Sequence, residues 1–228
     1  MSIEKKLKTR GILMLLSFSA VLVAIFMPLF KGQNGLDYLD SLFNSISKGS
    51  AYYIQQNMED VKKYEGKVVT INATMSDAQQ AEQTAKLFEA GGAAVTISGS
   101  SITVQGDVGK ILKNTLVDAD SMYANDGKKI TDKYGYEERA AMYNWWTALK
   151  EMDKDLKRQK LFEEAKITTT VKKKSLETSY NYYGIEPQSI MDSIGLVVVA
   201  LAFYVFYTLW YGFGIMYLFE GLGLKIGH

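Results

Sequence analysis

Catalysis needs nucleophiles, bases or metal ligands, and this chain is short of them. It has no cysteine, and its single histidine is His228, the final position. That excludes thiolate metal sites, iron–sulfur clusters, a cysteine nucleophile and any Ser-His-Asp triad in the body of the chain. Carboxylates and aromatics remain. Asp118/Asp120 and Glu137/Glu138 are close acidic pairs, but neither has the spacing of a calcium loop, and both read as solvated surface. Tyr136, Tyr143, Trp145 and Trp146 cluster on one amphipathic stretch, where aromatics read as core or helix contact before they read as a ligand cage. The chain is therefore expected to be no enzyme and to carry neither cofactor nor metal.

A second set of residues carries hydroxyls where hydrocarbon would surround them. Placed at 100° per residue, Ser193, Ala200, Tyr204, Tyr207, Thr208 and Tyr211 fall on one side of a helix, and Val199, Phe206, Trp210, Phe213 and Tyr217 on the other. Hydroxyls in lipid need partners, so the first face is expected to meet protein and the second lipid. Ser17, Ala20 and Ala24 form a narrow stripe of small residues near the other end of the chain. They join the first face as the expected helix-packing interface.

Those two stripes lie on uncharged runs that fit a membrane. Ile194 to Phe219 is 26 residues long and Gly11 to Phe30 is 20, against the ~18 that read as a span. Lys5, Lys6, Lys8 and Arg10 precede the first run against one acid, Glu4, so the N-terminus is expected on the cytoplasmic side. A cleaved signal peptide is the competing reading, but Leu29-Phe30-Lys31 supplies no small-x-small cleavage site. The expected plan is residues 1–10 inside, a span over 11–30, an extracytoplasmic domain over 31–190, a second span over 191–219, and 220–228 inside, in an inner (plasma) membrane. Glu220 and Lys225 mark the inner end.

The middle segment is balanced, with 21 basic and 22 acidic residues over 31–190, which argues against a nucleic-acid partner. Residues 36–64 have helical periodicity, broken near Lys48-Gly49-Ser50. Val69, Ile71 and Ala73 alternate as a strand, Ala78 to Phe88 reads as a helix ending at Gly91-Gly92, and Val95/Ile97 and Ile102/Val104 alternate around Ser98-Gly99-Ser100. A strong amphipathic helix follows from Val108 to Met122. This β-α-β-β-α order predicts a split βαβ-like unit, with the third strand slotted antiparallel between two parallel ones, and 66–125 is expected to fold alone. Beyond it, 125–135 reads as a loop, 137–165 as one long helix, and Ile167 to Val171 as a short fourth strand. Tyr180, Tyr182 and Tyr183 read as membrane-interface anchors.

The fold class expected is thus an α+β membrane protein, two spans flanking an extracytoplasmic domain. With no catalytic constellation, the chain reads as a bacterial-type accessory or scaffolding subunit of a larger assembly, a transporter or respiratory complex. Its partners are then other membrane subunits or itself, and the lipid bilayer. An extracytoplasmic ligand sensor and a homo-oligomeric channel are the alternatives.

Overall fold

The computed structural model describes residues 2–30 and 32–224; Lys31, Lys225 and His228, used above, lie outside the described residues. In chain order the elements are α1 (Ile3–Phe26), α2 (Gly35–Ser50), α3 (Ile54–Val61), β1 (Val68–Thr74), α4 (Ala78–Ala90), β2 (Ala94–Ser98), β3 (Ser101–Asp107), α5 (Val108–Tyr123), α6 (Gly127–Tyr134), α7 (Glu138–Arg158), α8 (Phe162–Val171), a π-helical turn (Lys172–Leu176), α9 (Glu177–Asn181) and α10 (Ile190–Gly221). The protein is mostly helical, with one small sheet and two helices long and apolar enough to cross a membrane. It divides into two compact units, residues 1–49 with 187–228, and residues 50–186.

The first unit is built on α1 and α10, which run antiparallel. Their contact is set by glycines. A Cβ on Gly11 would stand 2.5 Å from the Leu218 backbone nitrogen, and one on Gly221 would meet the Lys8 backbone. Only hydrogen fits at those crossings, so the two backbones approach as closely as small-residue helix pairs do in lipid. Gly11, Leu15 and Phe18 on α1 and Tyr207, Tyr211, Gly214, Leu218 and Gly221 on α10 alternate by three and four, the period of a packed helix seam. α1 ends at Phe26, because Pro28 cannot continue it and Met27 is already extended. α10 begins at Ile190, three residues after Pro187, and Ser189 caps it, its hydroxyl accepting from the Met191 N–H. α2 belongs to this unit too, its Ser45 carbonyl accepting from the Gln188 N–H.

The second unit wraps helices around the sheet. β3 lies between β1 and β2 and is antiparallel to both, the arrangement the β-α-β-β order implies. Alternation does the sorting: Val69, Ile71, Ala73, Ile102 and Val104 are buried, while their sequence neighbours are exposed. Asp77 and Asp107 cap α4 and α5 through the N–H groups of Gln80 and Lys110. α5 buries Val108, Ile111, Leu112, Thr115, Leu116, Ala119 and Met122, and Phe88 meets Trp145 edge to face at 5.5 Å.

Three expectations need correcting here. The 125–135 stretch is not simply a loop; it contains α6, whose Ile130 and Tyr134 are buried. The long helix breaks at Lys160, which takes φ 63°, so α7 and α8 are separate. Residues 167–171 are the end of α8 and not a strand: Ala165, Thr168 and Val171 share one buried face, and Thr168 and Thr170 return their hydroxyls to the carbonyls four residues back. Residues 66–125 share their core with the next long helix. α7 supplies Trp145, Leu149 and Met152 to the same core, and it closes the β1 edge, where Asp155 accepts the Asn72 N–H and Gln159 donates to the Thr70 carbonyl.

Candidate functional site: an aromatic pocket backed by a buried acid

α7 presents two faces with different chemistry, and its adjacent tryptophans point one each way. Arg139, Tyr143, Trp146 and Lys150 recur at three or four residues and form the outer stripe. Opposite them stand the π-helical turn and α9, held together by the Trp146 Nε1 donating to Glu177 Oε1 at 2.8 Å. Between these elements lies a half-open pocket of about 350 Å³, lined by Met142, Tyr143, Trp146, Leu176, Glu177 and Tyr180 among others. Its base is apolar, Met142 and Leu176 being buried. Its walls are aromatic, with Tyr143 stacked on Trp146 at 6.1 Å. Cations ring it: Lys150 and Lys172 lie 5.1 and 5.6 Å from the Trp146 ring, and Arg139 lies 5.6 Å from Tyr180. The wider π-turn is the local irregularity that seats Leu176 and Glu177 against α7. A small apolar or aromatic molecule fits such walls. No nucleophile and base stand together among the lining residues.

Behind the pocket, Trp145 turns inward to an acid that the sequence did not mark as special. Asp118, read above as surface, is 2 % exposed. It accepts from Lys133 Nζ at 2.7 Å, Tyr134 Oη at 2.5 Å and Trp145 Nε1 at 2.8 Å. Asn114, one turn earlier on α5, accepts from Lys133 and donates to Tyr134. One carboxylate thus ties α5, α6 and α7 together. A buried acid with three donors is satisfied, which suits a structural role better than proton transfer. Burial first, then the neighbouring Asp118 charge, holds the Tyr134 hydroxyl well above its ordinary range. Burial likewise pushes Tyr136 up to about 12. Tyr52 is also pushed up to about 12, by burial and then by its hydrogen bond to Asp120 at 2.7 Å.

The other acidic pair is structural as well. Glu137 caps α7 through the Ala140 N–H. Glu138 accepts from Thr131 and Tyr183, and its carboxyl lies below the usual range, chiefly through its backbone hydrogen bond and then through Thr131. Tyr182 and Tyr183, expected as membrane-interface anchors, pack on the core of their own unit, and Tyr180 lines the pocket. Among the described residues no cluster of three or more metal-ligating side chains occurs.

The helix-packing residues are distributed as follows. Tyr207 donates to the Phe18 carbonyl at 3.2 Å and stacks on its ring at 4.2 Å, and Tyr211 approaches the same ring at 5.0 Å. Ser193, Ala200 and Ala24 are half-buried. Ser17 and Thr208 return their hydroxyls to their own helices, at Leu13 and Met14 and at Tyr204. Ala20 is exposed, and Tyr204 is 68 % exposed. Of the opposite face, Phe206 is 71 % exposed, whereas Tyr217 carries the Arg10 guanidinium at 4.6 Å. The glycines at 11, 214 and 221 escaped notice as contacts; the seven-residue step from Gly214 to Gly221 was the available signal. Comparison of the chain with protein families, with curated proteins and with solved structures finds no match.

Proposed function

We propose that this chain is a two-span membrane protein, with both termini cytoplasmic and its α+β unit on the opposite side. In this reading it serves as a non-enzymatic accessory or scaffolding subunit of a larger membrane assembly. The observation that carries the reading is the bareness of the long helices. In the 24 residues of α1 and the 32 of α10, only Gly11 and Gly214 are buried. A core helix of a water-soluble protein buries a whole stripe, whereas lipid accepts an apolar surface of this extent. α1 covers the Tyr207 side of α10 and leaves Tyr204, Phe206 and Phe213 exposed, which is surface for lipid or for another subunit's helix.

Purification of the tagged full chain from membranes in mild detergent, followed by mass spectrometry, tests the role. Foreign membrane subunits in near-stoichiometric amounts are expected. Thr208→Trp, which places bulk on the side of α10 that α1 does not cover, should release them. Recovery of this chain with no foreign subunit would reject the accessory role. A second reading, a ligand sensor, draws support from the aromatic pocket at Trp146 and would be favoured by a small molecule recovered with an otherwise lone chain.

A further inference from the structure

The two edges of the sheet are treated differently. On β1, the outward Thr70 carbonyl and Asn72 N–H are taken by Gln159 and Asp155 at the end of α7. On β2 nothing comparable is present among the described residues. The two-residue turn Gly99-Ser100 makes Ser98/Ser101, Thr96/Thr103 and Ala94/Gln105 the hydrogen-bonded pairs of the hairpin. The N–H and C=O of Val95 and Ile97 therefore point away from β3, and among the described residues no hydrogen bond reaches them on that side. The strand reads Ala-Val-Thr-Ile-Ser, without charge or proline, and Ile97 is 43 % exposed at the rim of the core. Native sheets usually guard such an edge with a charge, a proline, a bulge or a covering element.

We propose that β2 is the docking edge for a second copy of this chain, pairing antiparallel with its counterpart about a two-fold axis at Thr96. The register follows from the free groups. With Thr96 opposite Thr96 of the second copy, Val95 on each strand faces Ile97 on the other. Four backbone hydrogen bonds then form, two at each Val95/Ile97 pair, and every outward group of both residues is used. A register centred on Val95 would call on Ala93, whose N–H is already given to the Phe88 carbonyl, and one centred on Ile97 would call on the turn glycine, Gly99. In the Thr96 register both cross-strand pairs are aliphatic and no like charges meet, so the strand is complementary to itself. The three-stranded sheet becomes six-stranded and each exposed Ile97 is covered. This association is independent of which larger assembly the chain joins.

The full chain in detergent supplies the test, helped by its lack of native cysteine. Light scattering should give a dimer for the protein itself. At a non-hydrogen-bonded antiparallel pair the Cα atoms are about 4.5 Å apart, within disulfide reach, so Thr96→Cys should oxidise to a covalent homodimer. Ser98→Cys should not, because in this register the two copies of residue 98 stand about 13 Å apart along the strands. Ile97→Pro removes one donor from each copy and should weaken the dimer about thirty-fold or more. Ile97→Lys leaves the backbone intact and should act in the same direction, with an unchanged melting profile of the protomer. A chain that is monomeric at all concentrations, a dimer indifferent to Ile97→Lys, cross-linking equally efficient at Ser98→Cys, or a foreign chain captured at Thr96→Cys would each overturn the proposal.

Discussion

Asp118→Ala is expected to destabilise the 50–186 unit by about 3–5 kcal/mol, a large share of the ~5–15 kcal/mol that holds a domain folded. The substitution removes the acceptor of three donors at once. Trp145 Nε1 and Tyr134 Oη are buried with it. Each group left without a partner costs about 1–3 kcal/mol. Lys133, 32 % exposed, can turn to solvent, so its share should be small. Asp118→Asn keeps one oxygen for Tyr134 and Trp145 and turns an amide toward Lys133, so its cost should be clearly smaller. Urea unfolding followed by tryptophan fluorescence measures both. A loss below about 1 kcal/mol for the alanine variant would mean the three helices do not depend on this acid.

Gly11→Leu should have a comparable effect on the first unit. Its Cβ would lie 2.5 and 2.8 Å from Leu218 backbone atoms and 3.0 Å from the Gly214 carbonyl, and backbone cannot yield as a side-chain tip can. The helices must move apart, which also loosens the Phe18 stack with Tyr207 and its hydrogen bond. Overpacking of this kind costs about 1–3 kcal/mol in protein cores. In a bilayer, where there is little hydrophobic drive between helices, that would be enough to part the pair. Labels on exposed cysteines at positions 3 and 222, read by energy transfer through an SDS titration, should separate at lower SDS in the variant. Ala20→Leu, on an exposed position, should leave the titration unchanged. Equal titrations for Gly11→Leu and the parent would place the helix contact elsewhere.

Much of this architecture was legible because period carries it. The alternation at Val69-Ile71-Ala73 and Ile102-Val104, and the stripe from Val108 to Met122, state which face is buried before any partner is known. What escaped was fixed by tertiary context. The 167–171 stretch has strand propensity, but Thr168 and Thr170 bond back into a helix that buries Ala165, Thr168 and Val171. Asp118 sits between Val117, which is exposed, and Ala119, which is buried; the chain does not say that a tryptophan 27 residues on will aim its N–H there. The pocket draws Trp146 and Tyr143 from α7 and Glu177 and Tyr180 from beyond a π-turn, and no spacing rule joins segments so separated. In the long helices, large aromatics drew attention to the hydroxyl stripe, whereas glycine, which adds no side chain to a helical wheel, sets the closest approach.

The proposed two-span topology can be read from protease accessibility in sealed spheroplasts. Positive charge at Lys5, Lys6, Lys8 and Arg10 should hold the N-terminus inside, and a second crossing would return the C-terminus to the same side. Added protease should cut the solvated link between α9 and α10 or the loop before α2, and leave epitope tags at either end intact until the membrane is opened. Tags lost from intact spheroplasts, or a 50–186 unit that survives until lysis and is then digested, would contradict the account.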